Sequence, residues 1–235
     1  MPRRWCVDGK ICHVFNRAAA KLPVFKTSAD FRAFLEILAR TKGQAHPAIR
    51  LYGYCVMPTH WHLIICADTT PALSQFMRHL TRRHAVAYLA DHPERSGAVY
   101  QGRFKCVPVQ DGDHLRTLLL YVDRNPLKAK LVKSAEEWLW SSVHHHAGLM
   151  NDPLLDIDRL PPCDDWLTQV NHTESVDDLA EAALKRNLPI GDPEWVATLS
   201  REWNDLRRPP GRPGKLNREE LSVTHAGGPL LDLAD

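Results

Sequence analysis

No apolar run in this chain approaches the roughly 18 residues of a membrane-spanning helix. The basic start, MPRRWCVDGK, has no apolar core behind it, so no secretory leader is expected. The six cysteines (Cys6, Cys12, Cys55, Cys66, Cys106 and Cys163) form no CxxC pair and no zinc-ribbon spacing. Cys55 and Cys66 lie in apolar runs, where a free thiol behaves as a small hydrophobe, and a reducing, cytoplasmic setting is expected. No long internal repeat occurs. Acid is scarce in the front of the chain: residues 1–133 hold 21 Lys and Arg against 9 Asp and Glu, a balance of +12. Residues 134–235 hold 9 against 19, a balance of −10 that hides the asymmetry in a net charge of +2. A front portion of that sign suits a polyanionic partner. The length of 235 residues allows one sizeable domain, or one domain plus an appendage.

The pattern of what is present reads as α+β. ICHVF (11–15) has strand character and is followed by a basic loop, NRAAAK. SADFRAFLEILART spaces Phe31, Phe34, Leu35 and Leu38 as a helix does. IRLYGYCVM and HWHLIICA read as two strands of a hairpin turning at Pro58-Thr59, with Tyr52 and Tyr54 on one face. A long helix follows from a Thr70-Pro71 start. AVYQGRFKCVPV is strand-like, and DGDHLRTLLLYVDRNP is a helix expected to run from an Asp cap to just before Pro126. Strand–helix–strand–strand–helix–strand is the split βαβ, ferredoxin-like order. The expected core is an antiparallel sheet with helices on one face, with EEWLWSSVHHHAG packed on it through Trp138 and Trp140. Residues 1–150 are expected to form this domain. Residues 151–235 are expected to add an acidic, Pro-rich linker, amphipathic helices over 175–189 and 192–206, and a basic Pro/Gly-rich tail.

The run MPTHWHLIIC sets His60 and His62 one residue apart in a strand, so they project together while Trp61, Leu63 and Ile65 point the other way. Two such imidazoles are either partly exposed polar residues near a strand start or the two ligands of a shared cation. On the helix HLRTLLLYVDRNP, Tyr121 and Asn125 are four apart and share a face. Tyr121 is either a packed helix residue or, beside a metal held by the histidines and the Asn125 amide, a nucleophile for phosphoryl transfer. A histidine-triad nucleotide hydrolase needs a third alternating histidine, and Ile64 stands in its place. VHHHAG (143–148) lacks supporting ligand spacing and is expected to be exposed, with no metal role.

YGYCVMPTHWHLII, VYQGRFKCVPV and YVDRNPLKAKLVKSAEEWLWSS, taken together over about residues 11–145, resemble the REP-associated tyrosine transposases. These are relatives of the IS200-type transposases within the HUH single-strand DNA endonucleases. The resemblance implies that His60 and His62 bind Mg²⁺ or Mn²⁺, with Asn125 as third ligand by its i+4 position, and that Tyr121 is the nucleophile. It implies cleavage and rejoining of single-stranded DNA near palindromic hairpins through a 5′-phosphotyrosine intermediate. Arg103 and Lys105 match a family motif and are expected to contact the DNA backbone, joined by Arg78, Arg82, Arg83 and Arg124. The alternative is a hairpin-binding module of the same ancestry that does not cut. PPGRPGK is close to an AT-hook but has Pro210 where an arginine is expected, so it reads as a basic linker. Monomer and homodimer both remain open.

Overall fold

The computed structural model describes residues 6–156, 163–172 and 188–205, together with Glu181 and Arg186. The expected helix over 175–189 falls almost wholly outside these residues, and the basic stretch 207–220 lies entirely outside them. The elements are β1 (Ile11–Arg17), α1 (Ser28–Ala45), β2 (Ile49–Met57), β3 (His60–Ala67), α2 (Thr70–Asp91), β4 (Lys105–Val109) and α3 (Asp113–Lys128). After these come α4 (Val143–His146), α5 (Trp166–His172) and α6 (Pro193–Asp205), the last covering the expected 192–206 helix. The four strands form one antiparallel sheet in the order β2-β3-β1-β4, the split βαβ arrangement.

Strand alternation divides the core in two. Val14, Val56, Trp61, Leu63, Ile65 and Cys106 point to the side covered by α1 and α2, where Phe31, Phe34, Leu38, Phe76 and Leu80 meet them. Ile11, Phe15, Cys55, Ile64, Val107 and Val109 point to the other side, against Leu115, Leu118, Leu119 and Val122 of α3. The expectation of helices on one face therefore holds for α1 and α2 and not for α3. Both sheet faces are apolar, and α3 carries its own apolar stripe, so each must be covered. Trp138 and Trp140 pack on Phe31, edge-on at 5.6 Å and stacked at 5.1 Å. β4 is an edge strand containing Pro108, and its open side is bridged by Ile190, whose N–H donates to Pro108 O at 2.9 Å.

Local chemistry accounts for several boundaries that periodicity misplaces. α1 starts from Thr27, whose hydroxyl and the Asp30 carboxylate cap each other's backbone N–H groups. α2 is capped by Thr69, not Thr70, with Pro71 in the first turn. β4 begins only at Lys105, and before it Tyr100 makes a lone bridge to Ala18. α3 has Gly112 rather than an aspartate at its cap, and it continues through Pro126 to Lys128. Proline removes the N–H that would bond Val122 O. The Asn125 side chain compensates, its Nδ2 donating to Tyr121 O at 2.8 Å and Val122 O at 3.3 Å.

The register of β2 against β3 slips between Leu51 and Gly53. This β-bulge turns Tyr52 toward α3 while Tyr54 joins the α1 side, so the two tyrosines do not share a face as expected. Gly53 lies directly beneath α3: a Cβ there would sit 2.5 Å from Leu119 Cδ2. Gly53→Ala is expected to push α3 off the sheet and cost about 1–3 kcal/mol in urea unfolding. An unchanged midpoint would show that α3 has room to spare.

Candidate functional site

The site is built on the α3 side of the sheet, where cross-strand pairing lays side chains out in rows. Met57, His60 and Arg17 form one row, and Cys55, His62, Phe15 and Lys105 form the next. Behind them come Ile64, His13 and Val107. His60 and His62 project together as alternation predicts, their rings 5.0 Å apart between centroids and nearly perpendicular. The intervening Trp61 is fully buried on the opposite side. Its indole N–H donates to Tyr100 Oη at 3.1 Å, and that hydroxyl is hydrogen-bonded to His84 Nδ1 at 2.7 Å. This chain ties the histidine strand from behind to α2 and to the loop before β4.

α3 brings Tyr121 over the histidine strand. Tyr121 is 8% exposed, and its ring meets the His62 ring edge-on, with centroids 6.4 Å apart. Lys128 Nζ lies 5.7 Å from the same ring. Asn125, one turn along, is half-buried, and its amide nitrogen is used on α3's own carbonyls, which turns Oδ1 away from the helix as the available acceptor.

The rotation of α3 is set by Asp123, which is fully buried two residues after Tyr121. Asp123 Oδ2 accepts from His146 Nδ1 at 2.7 Å and from Trp166 Nε1 at 3.0 Å, and Oδ1 lies 3.1 Å from Ser142 Oγ. His146 Nε2 faces Tyr52 O at 2.8 Å. A carbonyl can only accept, so Nε2 donates to Tyr52 O, and the Asp123 carboxylate at Nδ1 favours a second proton there. Burial opposes that charge, but the adjacent carboxylate outweighs it and raises the His146 pKa above its usual value. The expectation that 143–148 is exposed therefore fails: His145 and His146 are both buried, and His146 is locked into an ion pair.

The expected DNA-contacting residues divide by location. Arg103 and Lys105 are exposed near the histidine rows, because Gln101 N–H donates to Arg17 O at 2.9 Å and Asn16 Nδ2 to Gly102 O at 3.1 Å. Lys105 Nζ sits 5.6 Å from the Phe15 ring centroid. Arg78, Arg82 and Arg83 are exposed on α2, across the sheet from the histidines. Arg82 and Arg83 line a groove between α1 and α2, where Arg83 is held by Thr41 and Gln44. Arg124 does not belong with them. It is buried, and its guanidinium donates to Val170 O at 2.6 Å, fastening α5 to α3. Two residues of the site escaped the sequence reading, His13 and Arg17. A histidine at a core-facing position of an apolar strand was the available signal for the first, and Arg17 lay in what read as a loop.

Comparison with known proteins places the chain in a family. The family described as "Transposase IS200 like" matches residues 6–125, just over half of the chain, from before β1 to Asn125. The chain belongs to this family. Among solved structures, a REP-associated tyrosine transposase bound to a REP hairpin is 16% identical, with a TM-score of 0.52. The match covers 69% of this chain and 98% of that one, and it supports the fold. A putative transposase from Deinococcus radiodurans R1 is 18% identical with a TM-score of 0.38, covering 50% of this chain and 91% of the other. None of the curated proteins compared with the chain matches it significantly. Membership implies, at the level of the family, a transposase acting on DNA. No helix among the described residues is long and apolar enough to cross a membrane.

In this IS200-like chain the histidines fit a divalent cation. His62 Nδ1 is 2.7 Å from His13 Nε2, which leaves His62 Nε2 buried without a hydrogen-bond partner. His60 Nδ1 is 3.0 Å from Thr59 Oγ1, so its Nε2 is likewise the remaining ring nitrogen. A cation answers the cost of an orphaned buried nitrogen, and a partner on the far nitrogen is the usual support of a ligating histidine. No group of three His, Cys, Asp or Glu suited to a metal occurs among the described residues. The remaining ligands would then be an amide, water or a phosphate oxygen.

Burial, helped by the neighbouring His60, lowers the His13 pKa to about 3. Burial and the Arg17 charge lower His60 to about 4, and burial with its charged neighbours takes His62 well below its usual value. All three rings are therefore neutral, ligand-competent imidazoles at pH 7. Burial likewise lowers His84 to about 4, against the opposing pull of Asp30. The unfolded chain takes up these protons near pH 6.5 and the folded one does not, so this stability is full above pH 6.5 and lost as pH falls toward 4. Each group contributes up to about 1.4 kcal/mol per pH unit in that window. His146 acts oppositely, stabilising below pH 6.5 and losing that contribution as pH rises through its elevated pKa. Urea midpoints are expected to fall clearly between pH 7 and pH 5, and a flat profile would show that the four rings are not buried in neutral form.

Proposed function

We propose that the protein is a metal-dependent single-strand DNA endonuclease and transposase that cleaves and rejoins DNA next to palindromic hairpins. One observation carries the reading: in a member of the IS200-like family, His60, His62 and Tyr121 converge on one sheet face beside an orphaned ring nitrogen. His60 Nε2, His62 Nε2 and Asn125 Oδ1 would hold Mg²⁺ or Mn²⁺. Such an ion supplies Lewis-acid polarisation of a non-bridging phosphate oxygen. With an ion at His62 Nε2, the His62 Nδ1–H would donate to His13 Nε2, which would hold the ring in place.

Tyr121 Oη attacks the scissile phosphorus as its proton passes to solvent, and the departing 3′-oxygen takes one up from solvent. The new O–P bond leaves a 5′-phosphate on the tyrosine, and the broken P–O bond frees a 3′-hydroxyl. The phosphodiester energy is retained in the phosphotyrosine, so a 3′-hydroxyl can reverse the step and rejoin DNA. Arg103 and Lys105 would contact the backbone entering the site, and Arg78, Arg82 and Arg83 would offer charge to a second segment of the same DNA. The folded partner is a hairpin with flanking single strand, read by shape and backbone charge. The REP hairpin bound by the solved transposase of matching fold supports that choice. In this reading residues 1–150 carry the chemistry and residues 151–235 form an extension.

The test is incubation with Mn²⁺ and end-labelled single-stranded DNA carrying imperfect palindromes from the sequence flanking the gene. Wild type is expected to nick the strand and form a covalent protein–DNA band that Tyr121→Phe lacks. Tight hairpin binding with no nicking by either protein would favour the non-cleaving binding module, and nicking by both would move the nucleophile elsewhere. His13→Gln is expected to keep the fold and weaken Mn²⁺ binding about 10–100-fold by titration. Undiminished binding would remove His13 from the metal's support.

A further inference from the structure

Arg17 ends β1 and pairs across the ladder with His60, on the sheet face of His62 and Phe15. Its backbone is fixed on both sides, N–H donating to Asn16 Oδ1 at 2.9 Å and O accepting from Gln101 N–H at 2.9 Å. The side chain is exposed, and no carboxylate pairs with it among the described residues. That separates it from Arg40, Arg50 and Arg116, which pair with Glu36, Asp68 and Asp165. Lys105, which also has no carboxylate partner among the described residues, stands on the far side of Phe15 in the adjacent row. An unpaired guanidinium on a rigid strand end, next to a cation-binding pair, is suited to an anion that bridges the two.

Resting on the reading above, we infer that Arg17 grips a phosphate of the DNA strand bound at His60 and His62, through paired N–H donors to its non-bridging oxygens. Guanidinium geometry matches a phosphate in two parallel hydrogen bonds, which an ammonium does not reproduce. Arg17 is thus a substrate-binding residue that seats the strand between the histidine pair and Tyr121, and Lys105 supplies charge to the next phosphate along.

The experiment measures fluorescence anisotropy of a labelled single-stranded oligonucleotide carrying a flanking palindrome, with Mn²⁺, in a Tyr121→Phe parent that cannot cleave. Adding Arg17→Gln is expected to weaken binding about 10–100-fold and to reduce the log–log salt slope by about 0.7, the loss of one phosphate contact. Arg17→Lys keeps the slope but recovers only part of the affinity, and Arg201→Gln, an exposed cation on α6, changes neither. Mn²⁺ binding without DNA and the melting temperature stay at parental values in Arg17→Gln. Parental affinity in Arg17→Gln, or a loss with unchanged salt slope, overturns the assignment. Cleavage by wild type without an Arg17 effect sinks Arg17 alone. An Arg17 effect without cleavage sinks the nuclease reading and leaves the phosphate contact standing. Failure of the parent to bind any such strand overturns both.

Discussion

The buried carboxylate of Asp123 holds three elements to α3 at once. It meets His146 and Ser142 around α4 and Trp166 on α5, while His146 reaches on to the β2 carbonyl of Tyr52. Stripping one partner from such a buried pair costs about 3–5 kcal/mol, so α3 has one rotational setting in which Asp123 is satisfied. That setting brings the Tyr121 ring edge-on to His62. Gly53 supplies the complementary constraint by letting the Leu119 side chain sit where a Cβ would otherwise be. The helix is fixed in angle by a charge and in height by the absence of a methyl group.

The histidine strand divides labour between its two faces. Toward α1 and α2, Trp61 is sealed in the core and hydrogen-bonded through Tyr100 to His84, which leaves β3 no freedom to shift. Toward α3, the same strand presents neutral imidazoles whose far nitrogens are held by Thr59 and His13. A rigid back and a polar front suit the proposed cation and phosphodiester site, since preorganised ligands lose less freedom on binding. The loop before β4 belongs to both faces. Tyr100 anchors it behind, and its bonds to Asn16 and Arg17 hold Arg103 near the front.

Much of this was legible in the sequence because it depends on short-range periodicity. A period of two puts His60 and His62 on one side and Trp61 on the other, and a period near 3.6 puts Tyr121 with Asn125. Element order alone identifies the split βαβ core, and the quoted motifs point to the transposase family. The parts that could not be read there depend on residues distant in sequence. His13 reaches His62 only through the β1–β3 register, 49 positions away, and Arg17 meets His60 by the same pairing. The bulge that separates Tyr52 from Tyr54 lies at Gly53, where the α3 side chain of Leu119 comes closest to the strand. Arg124 looks like a surface cation in its helix until α5 covers it, and His146 looks like part of a polar tract until Asp123 charges it. Pro126 reads as a stop because the repair, the Asn125 side chain, depends on a rotamer. Local pattern chose the chemistry this chain carries; cross-strand register and the burial of one charged pair decided which of those groups meet, because only packing brings distant residues within hydrogen-bonding range.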